Sequence, residues 1–149
     1  MRSVFFSFHY QRDIWRANQV RNSGVVIGES AAGFRDSSLW EEAKKKGDAA
    51  IKKMIDDGLK GTTVTVVLIG AETANRKYVT YEIEKSIECG NGLFGLRIHN
   101  IKNQSGSTDF AGPLPAKLVS GGYPIYTWST SDQFARWVEE AYKAAHTSR

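Results

Sequence analysis

Cysteine is almost absent from this sequence: Cys89 stands alone in 149 residues. One thiol cannot close an internal disulfide, which excludes a disulfide-stapled secreted module and points to a reducing, cytoplasmic compartment. Cys89 falls at the end of a predicted helix, where the dipole disfavours a thiolate, so packing is its expected role and catalysis is not. Histidine is nearly as scarce. His9, His99 and His146 are far apart in the chain and, with a single cysteine, offer no zinc-ligand spacing, so no metal is expected. Long apolar runs are also missing. Val4-Phe5-Phe6 is shorter than the apolar core of a secretory leader and is broken by Ser7, His9 and Tyr10. No segment approaches the roughly 20 apolar residues of a membrane span, and a soluble protein with no membrane partner is the expectation. There is no block of one charge either. The formal charge of +4 comes from Lys and Arg scattered among Glu and Asp. The densest cluster, Lys44-Lys45-Lys46, follows Trp40-Glu41-Glu42 on a predicted helix, where Glu-to-Lys pairing on a solvated face accounts for it better than nucleic acid does. The Walker phosphate loop, GxGxxG, HExxH, paired CxxC and the GxSxG elbow are all missing, and the reaction classes that depend on them lose weight.

What is present is ordinary globular material, 41% hydrophobic and 24% charged, enough for one continuous core over residues 1–149 and too little for two. Val4-Phe5-Phe6-Ser7-Phe8 is short, aromatic or β-branched and apolar on both faces, as a central parallel strand requires. Residues 12–22 carry Ile14, Trp15, Ala17 and Val20 at helical spacing beside Arg12, Arg16, Asn18 and Arg21, which predicts a weakly capped first helix. Val25-Val26-Ile27 reads as a second strand, and residues 28–36 form a loop long enough to suggest a function. A helix over residues 39–57 follows, capped by Ser37 or Ser38, with Leu39, Ala43, Ala50, Ile51, Met54 and Ile55 as its buried stripe and Gly58 and Gly61 closing it. Residues 64–69, Val-Thr-Val-Val-Leu-Ile, are the clearest strand. A helix over residues 77–89 turns Val79, Ile83, Ser86 and Ile87 to the sheet, and residues 93–98 make a fourth strand. Residues 100–122 read as a polar surface excursion. Pro124-Ile125-Tyr126 forms a short edge strand, and Ser131 or Asp132 caps a last helix through Ala145.

Alternation of strand and helix calls for an α/β, doubly wound, five-stranded parallel sheet of flavodoxin-like order 2-1-3-4-5 with helices on both faces. Ligands of such sheets bind beyond the carboxyl ends of the strands, where strand order reverses. That rule selects Phe8-His9-Tyr10, the loop over residues 30–36 and the segment over residues 70–78. In the last of these, Tyr78 and Glu82 are four apart and share a helix face, which puts a carboxylate among aromatics. Glu84 points elsewhere, so no acid/base dyad is formed. From spacing alone, Glu82 reads as a solvated carboxylate near Lys85 or Arg76.

Particular words in the sequence carry more. Val4-Phe5-Phe6-Ser7-Phe8-His9-Tyr10 resembles the first strand and turn of TIR domains, and Tyr78-Val79-x-x-Glu82 resembles their helix motif, with Tyr78 in place of Trp. Phe-Phe-Ser-Phe-His-Tyr, Trp-Arg-Ala-Asn, Val-Arg-Asn, Ser-Leu-Trp-Glu, Val-Leu-Ile-Gly and Tyr-Glu-Ile-x-Lys-Ser-Ile-Glu, in that order, resemble the TIR-like proteins of Thoeris antiphage systems over about residues 4–98. The resemblance implies an enzyme that takes NAD as substrate with no cofactor or metal, breaks the nicotinamide–ribose bond and cyclises the ADP-ribose. The product would be a diffusible signal for a separate effector, with room for a phage-derived trigger and a homo-oligomer. By the family pattern Glu82 is the catalytic residue, holding the ribose hydroxyls and offsetting positive charge on the ribosyl centre. His9 is placed for ribose or phosphate, Phe8 and Tyr10 for stacking, and Asn75 and Arg76 for the diphosphate. Asp36 and Trp40 flank the long loop, and Tyr78 stands beside Glu82. For Phe8 and Trp40 core packing is an equal or better reading; for His9, Tyr10 and Arg76 an ordinary surface or loop position is the alternative. Three other functions stay open: hydrolysis of NAD to linear ADP-ribose, a noncatalytic TIR assembly module, and a receiver-like phosphoacceptor. The last lacks the acidic cluster that its metal would need at the end of strand one.

Overall fold

In the computed structural model, which describes residues 1–31 and 38–146, β-branched and aromatic runs form five parallel strands. They are β1 (Arg2–Ser7), β2 (Val26–Glu29), β3 (Val64–Ile69), β4 (Gly92–Arg97) and β5 (Ile125–Thr127), in the order β2-β1-β3-β4-β5. Phe6 stands beside Val66, and Val66 beside Phe94. Among the described residues six helices complete the fold: α1 (Tyr10–Arg21), α2 (Ser38–Lys46), α3 (Asp48–Leu59), α4 (Lys77–Glu88), α5 (Ala116–Ser120) and α6 (Ser131–His146). The expected flavodoxin-like order is the observed one.

Both faces of the central strands are covered, which is why β1 and β3 are apolar without alternation. Val4 and Phe6 of β1 join Val64, Val66 and Leu68 of β3 in a core closed by Ala17 and Val20 of α1 and Phe134 and Val138 of α6. Phe5 turns to the other face, against Ile51, Ile55 and Leu59 of α3. Val67 and Ile69 pack there against Val79 and Ile83 of α4 and Leu118 of α5. Burial of these groups, at about 25 cal/mol per Å² of apolar surface, is what holds the layers together.

Several expectations are corrected. The single helix over residues 39–57 is two helices, broken at Gly47, whose φ of +108° and ψ of −179° lie in a region that essentially only glycine occupies. The break resets the helical phase, so Leu39 is exposed while Ala43, Ile51 and Ile55 are buried. The second helix runs through Gly58 and is stopped at Gly61, φ +80°. Helix α1 starts two residues early, with the His9 ring as its N-cap, and buries Asp13 and Arg16 while Trp15 stands in solvent. The reason lies downstream. Arg16 Nε donates to the Ile101 carbonyl at 2.7 Å and Nη2 to that of Ser107 at 3.0 Å, and Arg12 grips Asp109 with two bonds of 3.0 and 3.1 Å. Residues 101–109 are therefore tied to α1, and the segment over residues 100–122, still mostly at the surface, contains α5 with Leu118 buried. On α4 the buried face is Val79, Glu82, Ile83 and Ser86, and Ile87 is exposed. Cys89 is exposed instead of packed. Strands β2, β4 and β5 are each displaced by one or two residues from expectation, and Thr130, not Ser131 or Asp132, offers its hydroxyl to the backbone N–H of Gln133.

Candidate active site

Strand order reverses between β1 and β3, and the cleft beyond their carboxyl ends is built by three segments. Phe8, His9 and Tyr10 lead from β1 into α1, Trp40 comes from α2, and Asn75 and Arg76 enter α4, which contributes Tyr78 and Glu82. These eight residues line one cavity of about 290 Å³, near the lower end of the range for small-molecule sites. The structure thus brings together every candidate named from the sequence except Asp36, which lies outside the described residues. A larger cavity of about 660 Å³ opens at the other end of the sheet, between α6 and residues 90–93, and none of the candidates reaches it.

Glu82 is not the solvated carboxylate that spacing suggested. It sits in the apolar stripe of α4, 3% exposed, and its Oε1 accepts a bond of 2.6 Å from the Ser7 hydroxyl at the end of β1. Burial pushes its carboxyl up to about 8 against an ordinary value of 4.5, and the Ser7 bond opposes that rise. Among the described residues Oε2 has no hydrogen-bond partner, and it is not sealed from the cavity that Glu82 lines. Functional sites are enriched in carboxyls that burial perturbs beside a cleft, and Glu82 has both features.

The walls are aromatic. Phe8 and Tyr10 stack at 4.5 Å, Tyr10 and Trp40 stack at 5.1 Å with planes 9° apart, and Trp40 meets Tyr78 edge-on at 5.7 Å. The Tyr10 hydroxyl is bonded to that of Ser30. Tyr78 donates to Asp48 Oδ1 at 2.7 Å, and Lys77 reaches the same carboxylate at 2.8 Å, so α3 fixes the start of α4. Phe8 serves both readings, since it is core and wall at once.

The rim is cationic. Arg76 is exposed and, among the described residues, makes no ion pair or hydrogen bond through its side chain; Asn75 is likewise exposed and unengaged. Arg76 is also the N-cap position of α4 and supplies no side-chain cap, which leaves the first backbone N–H groups of the helix open. Burial and then the charge of Arg76 lower the His9 imidazole below its usual value, which favours the neutral ring. His9 Nδ1 accepts from the Arg12 backbone at 3.4 Å, so the neutral ring carries its proton on Nε2. Among the described residues no cluster of three or more His, Cys, Asp or Glu is arranged to hold a metal ion.

A family model described as the TIR-like domain of Thoeris protein ThsB matches residues 5–103, two thirds of the chain. The chain belongs to the Thoeris ThsB TIR-like family. A relative from Bacillus cereus (strain MSX-D12) that carries the name "Putative cyclic ADP-D-ribose synthase ThsB1" is 52% identical over 135 residues, covering 85% of this chain and 70% of that protein. The ThsB match spans every candidate from Phe8 to Glu82 and ends before α5, β5 and α6, so the part of the chain that builds the cleft lies within the family match.

Sequence reasoning missed Ser7 as a partner of Glu82. A signal was available: Ser7 interrupts the apolar run from Val4 to Phe8, and a buried hydroxyl must find a partner.

Proposed function

We propose that this ThsB-family protein binds NAD in the cleft over Glu82, breaks the bond between nicotinamide and ribose, and closes the remaining ADP-ribose into a cyclic signal. The observation that carries this reading is Glu82 itself, a buried carboxylate with one oxygen held by Ser7 and the other without a partner among the described residues, lining a cavity walled by aromatic rings. The name of the Bacillus cereus relative supports the same chemistry.

Nicotinamide in NAD is already a cationic leaving group. When its bond to ribose breaks, the electron pair stays with the ring nitrogen, neutral nicotinamide departs, and positive charge remains on the ribosyl carbon. A carboxylate in a low-dielectric pocket stabilises that charge far better than water does, because it needs no reorganisation at the moment of reaction. Entry of the cationic substrate also reverses the burial effect on Glu82: a positive group beside it favours the ionised form. Glu82 is the catalytic residue on this reading. Phe8, Tyr10, Trp40 and Tyr78 offer faces and edges for a ring, while Arg76, Asn75 and the open N–H groups of α4 suit the diphosphate. His9, being neutral, serves the ribose or phosphate as a hydrogen-bonding group. An atom of the same molecule's adenosine then captures the ribosyl centre. The cyclic product acts on a separate effector in antiphage defence, under a phage-derived trigger or self-assembly.

The test is incubation of the purified protein with NAD, with and without a lysate of infected cells, and identification of products by mass spectrometry. A cyclic ADP-ribose isomer that vanishes with Glu82→Gln is expected. Linear ADP-ribose alone would reduce the activity to hydrolysis. NAD left intact under every condition would overturn the enzymatic reading and leave assembly as the role of the domain.

A further inference from the structure

Residues 4–7 of β1 alternate across the sheet. Val4 and Phe6 enter the core under α1 and α6, whereas Phe5 and Ser7 face α3 and α4. Ser7 is the last residue of β1, pairs with Val67 of β3, and is fully buried. Its hydroxyl reaches across 75 residues of sequence to Glu82 Oε1 at 2.6 Å. A hydroxyl has one proton to donate, and here it goes to Oε1, which leaves Oε2 without a hydrogen-bond partner among the described residues on a side chain that lines the cavity. A carboxyl group free to rotate about its last bond would offer either oxygen to a substrate; one held at Oε1 offers only the other.

We infer that Ser7 is the positioning residue of Glu82, fixing the carboxylate by Oε1 so that Oε2 is the oxygen presented to the ribosyl centre. This rests on the reading of Glu82 given above. The groups that face Glu82 from neighbouring elements are few. His9 and Tyr10 come from the turn into α1, and Arg76, Lys77 and Tyr78 from the start of α4. On α3, Asp48 is turned to Lys77 and Tyr78, and Asp56 to Tyr81; on α5, Lys117 is exposed; β3 presents Thr65, Val67 and Ile69. The ionisation of Glu82 is governed by burial against the Ser7 bond, with no charged neighbour contributing.

A second hydroxyl pair on the same helix provides the control. Thr65 and Ser86 share a bond of 2.7 Å one turn farther along α4, fully buried and away from the cavity. If Ser7 merely satisfied a buried group, removing it would resemble removing Thr65.

The experiment titrates the Glu82 carboxyl directly, so it does not depend on a trigger. Protein labelled with carbon-13 at glutamate side-chain carboxyls is followed by NMR from pH 5 to 10, with the Glu82 resonance assigned by its loss in Glu82→Gln. Ser7→Ala is expected to raise the midpoint by about 1–2 pH units, the scale of a hydrogen bond to a charged group. Ser7→Thr should restore it. Thr65→Val should lower the melting temperature and leave the midpoint in place. Ser7→Cys, similar in size with a weak donor, should fall between and takes over if the alanine variant does not fold. In NAD turnover Ser7→Ala should lose kcat by more than about 10-fold with KM changed less than about 3-fold, as expected of an interaction that matters in the transition state. An unmoved midpoint in both Ser7→Ala and Ser7→Cys overturns the inference. Full turnover by Glu82→Gln would instead remove the catalytic role of Glu82, while the titration would still decide whether Ser7 holds it.

Discussion

Replacing Glu82 by Gln should make the protein more stable, and by an amount that depends on pH. The native state holds the Glu82 proton until about pH 8, whereas the unfolded chain releases it near the ordinary value of 4.5. Below about pH 4.5 both states are protonated and the residue costs nothing. Between about 4.5 and 8 the native state binds the extra proton, so stability falls as pH rises; above about 8 the loss is complete and constant. At 1.36 kcal/mol per pH unit the cost is about 3 kcal/mol at pH 7 and about 5 kcal/mol at pH 9, but under about 1 kcal/mol at pH 5. Glutamine keeps the shape of the side chain and an Oε1 that still accepts from Ser7, but never ionises, so it removes this cost without opening a cavity. For a domain of this size 1 kcal/mol moves the melting temperature by about 2–4 °C, so the variant should melt about 6 °C or more above the parent at pH 7. Thermal melts of both proteins from pH 5 to 9 give the answer as a difference, which cancels Asp13, raised to about 6 by burial and sloping the same way. The reasoning is refuted if the two proteins melt together across the whole range. A gain in stability with a loss of NAD cleavage is the trade expected of a group kept in an unfavourable environment for its chemistry.

The same carboxyl sets the pH dependence of activity: kcat/KM for NAD should climb with pH and level off above about 8 as the free enzyme ionises, which stopped-time NAD assays from pH 6 to 9.5 will show. Arg76→Ala should raise KM for NAD by about 10-fold with kcat changed little, because a rim cation contributes to binding in ground and transition states alike. Gly70→Ala places a Cβ 2.2 Å from Asp13 Oδ2, a contact that forces the buried carboxylate to move; urea unfolding should show a loss of about 1–3 kcal/mol. Gly47→Ala meets no neighbour within 4 Å but imposes a φ near +108° on an L residue, so a loss of about 1–3 kcal/mol should appear through backbone strain alone, with the cleft and NAD affinity unchanged.

The fold was legible because its signals are local. An unbroken Val-Thr-Val-Val-Leu-Ile run can only be a strand buried on both faces, and the alternation of such runs with helical stripes leaves few topologies. Where the reading failed, the cause was not local. Nothing near Arg16 in the sequence announces that its guanidinium will be buried under the carbonyls of Ile101 and Ser107, more than 80 residues away. That single tertiary commitment rotates α1 so that Trp15 faces solvent, and it ties residues 101–109 of an otherwise largely exposed segment to α1. The break at Gly47 was visible as a residue but not as a break, since an isolated glycine is tolerated inside many helices and only its φ decides.

The cleft divides in the same way. Topology placed Phe8, His9, Tyr10, Asn75, Arg76 and Tyr78 together, because the rule for ligand sites in open sheets depends only on strand order, which the sequence pattern reveals. The character of Glu82 did not follow from topology. Period 3.6 puts it on the same face as Val79, Ile83 and Ser86, a face that is apolar and points at the sheet. A charged residue in such a stripe has two readings in sequence: a mistake in the assigned phase, or a group buried against its preference. Physical chemistry favours the first in most helices, since an unpaired buried carboxylate is costly. What reverses the judgement is Ser7, a polar residue in an apolar strand at the height where α4 crosses it. Two such exceptions, each improbable as a packing choice, become mutually explanatory once β1 and α4 are adjacent. Pairs of polar anomalies on elements that a doubly wound sheet must bring together are therefore a better pointer to chemistry than either residue alone.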